Sequence, residues 1–150
     1  MTKFAKSIQK FIKNPPENLG KPAFTSNSLK IMEKRSFLKD EKGKFLEGPK
    51  EMFWRVAAAV AIEDQKYVGK KKTAKKATGP EVQAEEFYTL LAENKFLPGA
   101  RVLYEAGNYI DGTGQLASCF VLPVEDGLDS IFETMKEAAI VTLSINTEIN

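Results

Sequence analysis

The chain has no histidine and a single cysteine among its 150 residues. Without histidine, the sequence excludes His-based acid–base catalysis, Ser-His-Asp triads and the usual histidine metal sites. One cysteine excludes an internal disulfide and any zinc site built from several thiolates. Thiol chemistry in this chain therefore rests on Cys119 alone, and we expect no metal site.

Long apolar runs and a large charge excess are also missing. The stretch from Val56 to Ile62 is far too short to span a bilayer, and Met1 to Lys13 is basic but lacks the apolar core of a signal peptide. The 22 Lys and Arg residues nearly balance the 20 Asp and Glu residues, which argues against a nucleic-acid binder. We therefore expect a cytoplasmic protein that contacts neither membrane nor nucleic acid.

Apolar residues recur at helical spacing through the first two thirds of the chain. Near the N-terminus they predict a short helix that stops at Asn14-Pro15-Pro16, inside a partly disordered lead-in over residues 1–24. A second helix is expected to begin at Thr25 or Ser26, which are both good N-cap residues, and to run to about Arg35.

Two further helices complete a predicted helical domain over residues 25–95. One begins at Pro49 and carries an apolar stripe that includes Val56, and the other begins at Pro80 and ends near Asn94. Proline is favoured in the first turn of a helix, because the N–H group that it lacks would be unpaired there.

Over residues 96–144 the apolar pattern no longer indicates helices alone. Leu116 to Val124 (LASCFVLPV) is β-branched and aromatic, which predicts a strand. A last helix is expected to start between Asp126 and Asp129. The sequence therefore predicts a helical region followed by the opening of a strand-and-helix region.

A short basic stretch, Gly69 to Lys76 (GKKKTAKK), separates two predicted helices. It is consistent with a phosphate-facing patch or with a solvated loop, and its low hydrophobicity favours the loop. The spacing of a Walker-type phosphate loop does not occur in the chain.

Three stretches, in their order and spacing, resemble the large subunit of ribonucleotide reductases, most closely the adenosylcobalamin-dependent (class II) kind. They are FTSNSLKIMEKRSFLKDEKGKFLEGPKEMFWRVAAAVA at 24–61, EEFYTLLAENKFLPGARVLYEAG at 85–107, and GQLASCFVLPVEDGLDSIFETMKEAAIVTLS at 114–144. Together they cover nearly the whole chain after residue 24.

This resemblance implies an α+β fragment: a mainly helical N-terminal domain followed by the first strand and helix of a ten-stranded α/β barrel. The complete enzyme would convert ribonucleoside diphosphates or triphosphates to deoxyribonucleotides for DNA synthesis. It would use a radical derived from adenosylcobalamin, whose contacts are expected outside this chain, and a redox dithiol.

The resemblance gives Cys119 a role that composition does not. A cysteine in a strand is usually a small buried hydrophobe. In the family, the matching cysteine pairs with a second cysteine far downstream, and their α-carbons must come within roughly 7 Å to close the disulfide. Ser118 and Ala100 match positions that contact substrate, with Ala100 replacing a hydroxyl residue, although Ser118 also suits ordinary strand packing. Arg101 is a further candidate for contact with a phosphate.

Asp126, Gly127 and Leu128 match the stretch that binds a deoxynucleotide or ATP effector in the family. Asp126 also suits a plain helix N-cap, and both roles can coexist. The family commonly has serine where Gly127 stands. The helix from Ile131 to Leu143 matches one that forms a dimer interface, but its apolar face is equally consistent with a monomer core.

The resemblance also implies partners: a ribonucleotide substrate, a thioredoxin- or glutaredoxin-type reductant, the remainder of the reductase and a second copy of the chain. Residues 145–150 depart from the family pattern, so we expect a truncated, split or interrupted gene product that is inactive alone. One alternative is a non-catalytic helical module that retains effector binding or dimerisation. The other is an unrelated helical protein with a buried cysteine.

Overall fold

A computed structural model describes residues 3–68, 79–108 and 115–146 of the chain. Within these ranges the regular structure is helical. The helices are α1 (Lys3–Lys13), α2 (Ser26–Arg35), α3 (Pro49–Val68), α4 (Pro80–Ala92), α5 (Ala100–Glu105) and α6 (Leu128–Asn146). The starts expected at Thr25 or Ser26, at Pro49 and at Pro80 are confirmed.

Helix α3 forms the centre of the core, and α1, α4 and α5 pack around it. Its side chains from Met52 to Ala58 are almost completely buried, including Arg55. Alanines at positions 57, 58 and 61 leave room for α4, where Ala84 is fully buried. Since apolar side chains cover α3 on several sides, it suits a position inside the domain rather than on its surface.

Helix α1 contacts this core through Trp54 of α3. The Phe11 and Trp54 rings meet edge to face with centroids 5.4 Å apart, and Trp54 Nε1 donates a hydrogen bond of 2.9 Å to the Phe11 carbonyl. Ile12 is also buried. The helix ends at Lys13, before the two prolines, as the sequence predicts. Residues before position 24 therefore contribute to the same core as α3.

Helix α2 and the turn that follows it are held by local hydrogen bonds. The Thr25 hydroxyl accepts from the Ser28 N–H at 3.2 Å and caps α2. The Asp40 carboxylate accepts from the N–H groups of Lys42 and Lys44, and Gly43 has φ +75°, which closes a tight turn.

The strand predicted for Leu116 to Val124 is not shown. Residues 115–125 form no regular element, and no ladder partner for them lies in the parts of the chain that the structure describes. A strand needs such a partner, because its backbone N–H and C=O groups are paired across strands. The Thr134 hydroxyl of α6 donates to the Pro123 carbonyl at 2.7 Å and ties this segment to the helix.

Some predicted features fall outside the described residues. These are the basic stretch from Gly69 to Lys76, most of the loop from Asn108 to Gly114 and the end of the tail over residues 145–150. Helix α5 was not predicted from the sequence, in which Pro98-Gly99 interrupts the helical pattern. In the structure Gly99 is instead the N-cap of α5.

Candidate functional site

Ala100 and Ser118, which are 18 positions apart in the sequence, line one cavity of about 510 Å³. One wall comes from the end of α2 and the residues after it, and the other from α5. The segment over residues 115–125 supplies Ser118. The remaining lining residues are Lys34, Arg35, Phe37, Lys39, Arg101 and Tyr104.

The cavity is lined by four cationic side chains and no carboxylate. Lys39 donates to the carbonyl of Lys34 at 3.4 Å, and its ammonium lies 5.3 Å from the centre of the Phe45 ring. Arg101 pairs with Glu105 one turn later, at 3.4 Å between Nη1 and Oε1. An anion of two or more charges would be attracted by this lining, because the positive field of several cations adds within a concave surface.

Cys119 follows Ser118 directly and is exposed. Its Sγ lies 3.9 Å from the Ser118 hydroxyl. The alternative of a buried cysteine in the core therefore does not hold in this structure. An exposed thiol beside a cavity is accessible to a second thiol or to a reductant, which a buried thiol is not.

The predicted effector residues lie apart from the lining of this cavity, at the start of α6. The Gly127 carbonyl accepts from the Ile131 N–H at 3.0 Å, as the first helical hydrogen bond. The Leu128 side chain is 73% exposed. A Cβ at Gly127 would meet no atom within 4 Å, so the serine that the family commonly has would fit here.

A buried ion pair between Glu47 and Arg55 was not identified from the sequence. Their side chains are 2% and 1% exposed, and two hydrogen bonds of 2.8 Å join them. The available signal was an arginine inside the apolar run of α3, because a charge in such a place needs a partner. The carboxylate also accepts from the Leu38 N–H at 2.9 Å.

A second cavity, of about 360 Å³, is lined only by apolar side chains between α3, α4 and the chain that leads into α5. Phe96, which contributes to it, is 59% exposed. Within the described residues no helix is long and apolar enough to cross a membrane, and no cluster of three acidic or cysteine side chains could hold a metal ion.

A family model and several individual relatives agree on one enzyme family for this chain. Residues 22–109 match the family model of the ribonucleotide reductase all-alpha domain. A vitamin B12-dependent ribonucleoside-diphosphate reductase from Thermoplasma acidophilum is 29% identical over 164 residues, covering 78% of this chain and 21% of the relative. One from Mycobacterium tuberculosis is 38% identical over 113 residues, covering 75% of this chain and 15% of the relative.

The similarity extends to enzymes whose names do not mention vitamin B12. A ribonucleoside-diphosphate reductase large subunit from Danio rerio is 31% identical over 111 residues, covering 73% of this chain and 12% of the relative. The chain thus spans about a fifth or less of the length of these curated relatives.

Proposed function

The chain belongs to the ribonucleotide reductase family, as an all-alpha N-terminal part of the large subunit, and we propose that its complete protein is a cobalamin-dependent ribonucleoside-diphosphate reductase. The names of the two prokaryotic relatives support this substrate and cofactor. The resemblance supports a helical domain followed by the start of the barrel after residue 95, with the first barrel strand at Leu116 to Val124 pairing with a strand in the remainder of the complete protein.

We propose that the basic cavity holds the diphosphate end of the substrate. The observation that carries this proposal is that Ala100 and Ser118, which match substrate-contacting positions in the family resemblance, line one cavity with four cations. Its volume of about 510 Å³ is within the range of small-molecule sites. Arginine can bind phosphate oxygens in a bidentate manner, whereas lysine acts as a point charge.

Cys119 is proposed as one thiol of the reducing pair. Two thiols would become one disulfide as the ribose 2′-hydroxyl leaves as water, so two electrons and two protons pass from the thiols to the substrate. The second thiol would lie outside this chain, because Cys119 is its only cysteine. A thioredoxin- or glutaredoxin-type protein would then reduce the disulfide, which requires access of the kind that exposed Cys119 has.

Cobalamin would supply the radical in the complete protein. The described residues offer no fit for it: the smaller cavity is wholly apolar, the larger is a basic cavity that we assign to phosphate, and the chain contains no histidine to ligate cobalt. We therefore assign its contacts to the remainder of the protein and derive no step through it.

The start of α6 is proposed to bind the nucleotide effector through Asp126, Gly127 and Leu128. All three are exposed, as a ligand contact requires. The apolar side chains of α6, such as Phe132 and Met135, are more than 60% exposed and suit a dimer interface with a second copy. No observation favours a separate non-catalytic function over the reductase.

A binding titration tests the proposed phosphate site. CDP is added to the 150-residue chain and to Arg35→Met/Lys39→Met, with Lys95→Met/Lys136→Met as a control that removes two exposed lysines elsewhere. The cavity variant should bind roughly tenfold or more weakly, as expected for loss of a charge-assisted contact. Equal affinity of all three proteins would contradict the proposal.

Restored activity tests the proposed reaction. The chain is mixed with the remaining part of a vitamin B12-dependent relative, together with adenosylcobalamin and a dithiol. CDP reduction is expected with the wild-type chain and should be lost in Cys119→Ser, since one thiol cannot form the disulfide. Sustained turnover by Cys119→Ser would exclude this cysteine from the reducing pair.

A further inference from the structure

One guanidinium group, that of Arg55, is bound by acceptors from three separate parts of the chain. Nε and Nη2 donate to the Glu47 carboxylate. Nη1 donates to the carbonyls of Tyr104 and Ala106 at 3.0 and 2.6 Å, and Nη2 also reaches those of Leu103 at 2.9 Å and Ser36 at 3.4 Å. A guanidinium has five N–H donors, so these six contacts use all of them, and three acceptors share the two donors of Nη2.

The carbonyl acceptors belong to the backbone of the two walls of the basic cavity. Ser36 is the C-cap of α2, whose last turn carries Lys34 and Arg35. The other three carbonyls belong to α5 or to the residue that ends it, and α5 carries Ala100 and Arg101. The guanidinium therefore links the backbones of both walls through one rigid, planar group.

Glu47 strengthens the link on the α2 side. Its Oε1 accepts both from Arg55 and from the N–H of Leu38, which lies between the cavity residues Phe37 and Lys39. The carboxylate thus fixes the backbone of that wall relative to the guanidinium, which in turn fixes α5.

We propose that Glu47 and Arg55 form a positioning unit that sets the separation of the two cavity walls. The expected effect on diphosphate affinity rests on the function proposed above, whereas the expected effect on the geometry of the walls does not. Stability alone does not account for the pair, because a buried ion pair can often be replaced by apolar side chains of similar volume without loss of stability. An apolar pair cannot bind four backbone carbonyls and one N–H group.

The test compares three variants of the 150-residue chain. Glu47→Leu/Arg55→Met removes both charges together and so leaves neither one buried alone. Arg55→Lys keeps the charge but replaces the planar fork by one ammonium with three donors. Glu133→Leu/Lys136→Met removes an exposed ion pair of 2.7 Å on α6 and serves as the control.

Two measurements are made on each protein: the backbone amide chemical shifts and hydrogen-exchange rates of residues 36–39 and 100–106, and the affinity for CDP. In both Arg55 variants we expect displaced shifts and faster exchange at the two walls, with a CDP affinity roughly tenfold lower, as for one lost charge-assisted contact. Thermal unfolding should show that the double variant remains folded. The control should change neither measurement.

The outcomes separate the two proposals. Unchanged wall amides in a folded Arg55→Lys variant would overturn the positioning role, whether or not CDP binds. Displaced wall amides in a chain for which even the wild type binds no CDP would support the positioning role and contradict the phosphate site. Wild-type CDP affinity in both Arg55 variants, despite displaced walls, would overturn the link between wall separation and binding.

Discussion

Helices α3 and α6 are nearly equal in length, at 20 and 19 residues, and both are rich in apolar side chains. In α3, Phe53 and Trp54 are at most 1% exposed. In α6, Phe132 and Leu143 are each 64% exposed. Two helices of similar length and apolar content thus lie in opposite environments, since α3 is surrounded by helices of this chain, whereas no helix among the described residues packs extensively on α6.

Buried apolar side chains stabilise the domain that contains the helix, whereas exposed apolar side chains remain available to bind a partner. Burying a large apolar side chain stabilises a fold by about 1.5–3 kcal/mol relative to leaving it in water. That stabilisation is realised in α3. In α6 it is available to another protein surface, which agrees with the proposal that α6 contacts a second copy of the chain.

The largest expected contrast is between Trp54→Ala and Phe132→Ala. The first removes a buried ring that packs against Phe11 and Tyr88, so we expect a loss of about 3–5 kcal/mol in the free energy of unfolding. The second removes an exposed ring and should change that free energy by no more than about 0.5 kcal/mol. Urea unfolding followed by circular dichroism measures both. Equal losses would show that α6 is buried in solution.

The ionisation of Tyr88 makes the stability of the core depend on pH. Tyr88 of α4 is buried and donates a hydrogen bond to the Gly20 carbonyl. Burial, and secondarily the charge of Glu51, raises the pKa of Tyr88 from 10.0 to about 12. Below pH 10 the phenol is protonated in both states. Between pH 10 and 12 it ionises first in the unfolded state, which lowers stability by about 2 kcal/mol at pH 12.

Tyr88→Phe isolates this effect from the titration of other groups. The difference in unfolding free energy between wild type and variant should be constant below pH 10 and should shift by about 2 kcal/mol at pH 12, against the wild type. A difference that stays constant across this range would mean that Tyr88 ionises equally in the folded and unfolded states.

Replacing two glycines, one in contact with α3 and one before α6, is expected to give a smaller difference in stability. Gly107 has φ +69°, and a Cβ there would lie 2.9 Å from the Arg55 carbonyl oxygen. We expect Gly107→Ala to cost about 1–3 kcal/mol through backbone strain and this clash. Gly127 lies before α6 with open space around it, so Gly127→Ala should cost less than about 1 kcal/mol. Thermal unfolding of both variants checks this order, and a reversed order would contradict the described backbone at Gly107.

The sequence predicted the local features of this fold well. Capping and proline signals are determined by a few adjacent residues, which is why the starts at Ser26, Pro49 and Pro80 were predictable. Contacts over long sequence distances were not predictable. The carbonyl partners of Arg55 at Leu103, Tyr104 and Ala106 depend on α5 returning to α3, a contact that no local pattern encodes.

The candidate site was also predictable only in part. The family resemblance identified Ala100 and Ser118, but the basic character of the cavity depends on Lys34, Arg35 and Lys39, which are brought there by the packing of α2. The predicted strand at Leu116 to Val124 depends on a partner strand. Its β-branched and aromatic composition indicates a tendency to pair, and pairing itself requires the other strand.

Replacement of Cys119 is expected to change the free energy of unfolding least, and labelling of its thiol tests how accessible this residue is. Because the thiol is exposed, Cys119→Ser should change the free energy of unfolding by less than about 0.5 kcal/mol. A chromogenic disulfide reagent should label the thiol in the folded chain, without prior unfolding. Saturating CDP should slow this labelling, since the adjacent Ser118 lines the proposed phosphate cavity. Labelling that required denaturant would place Cys119 in a buried environment and would remove the access that a redox cysteine needs.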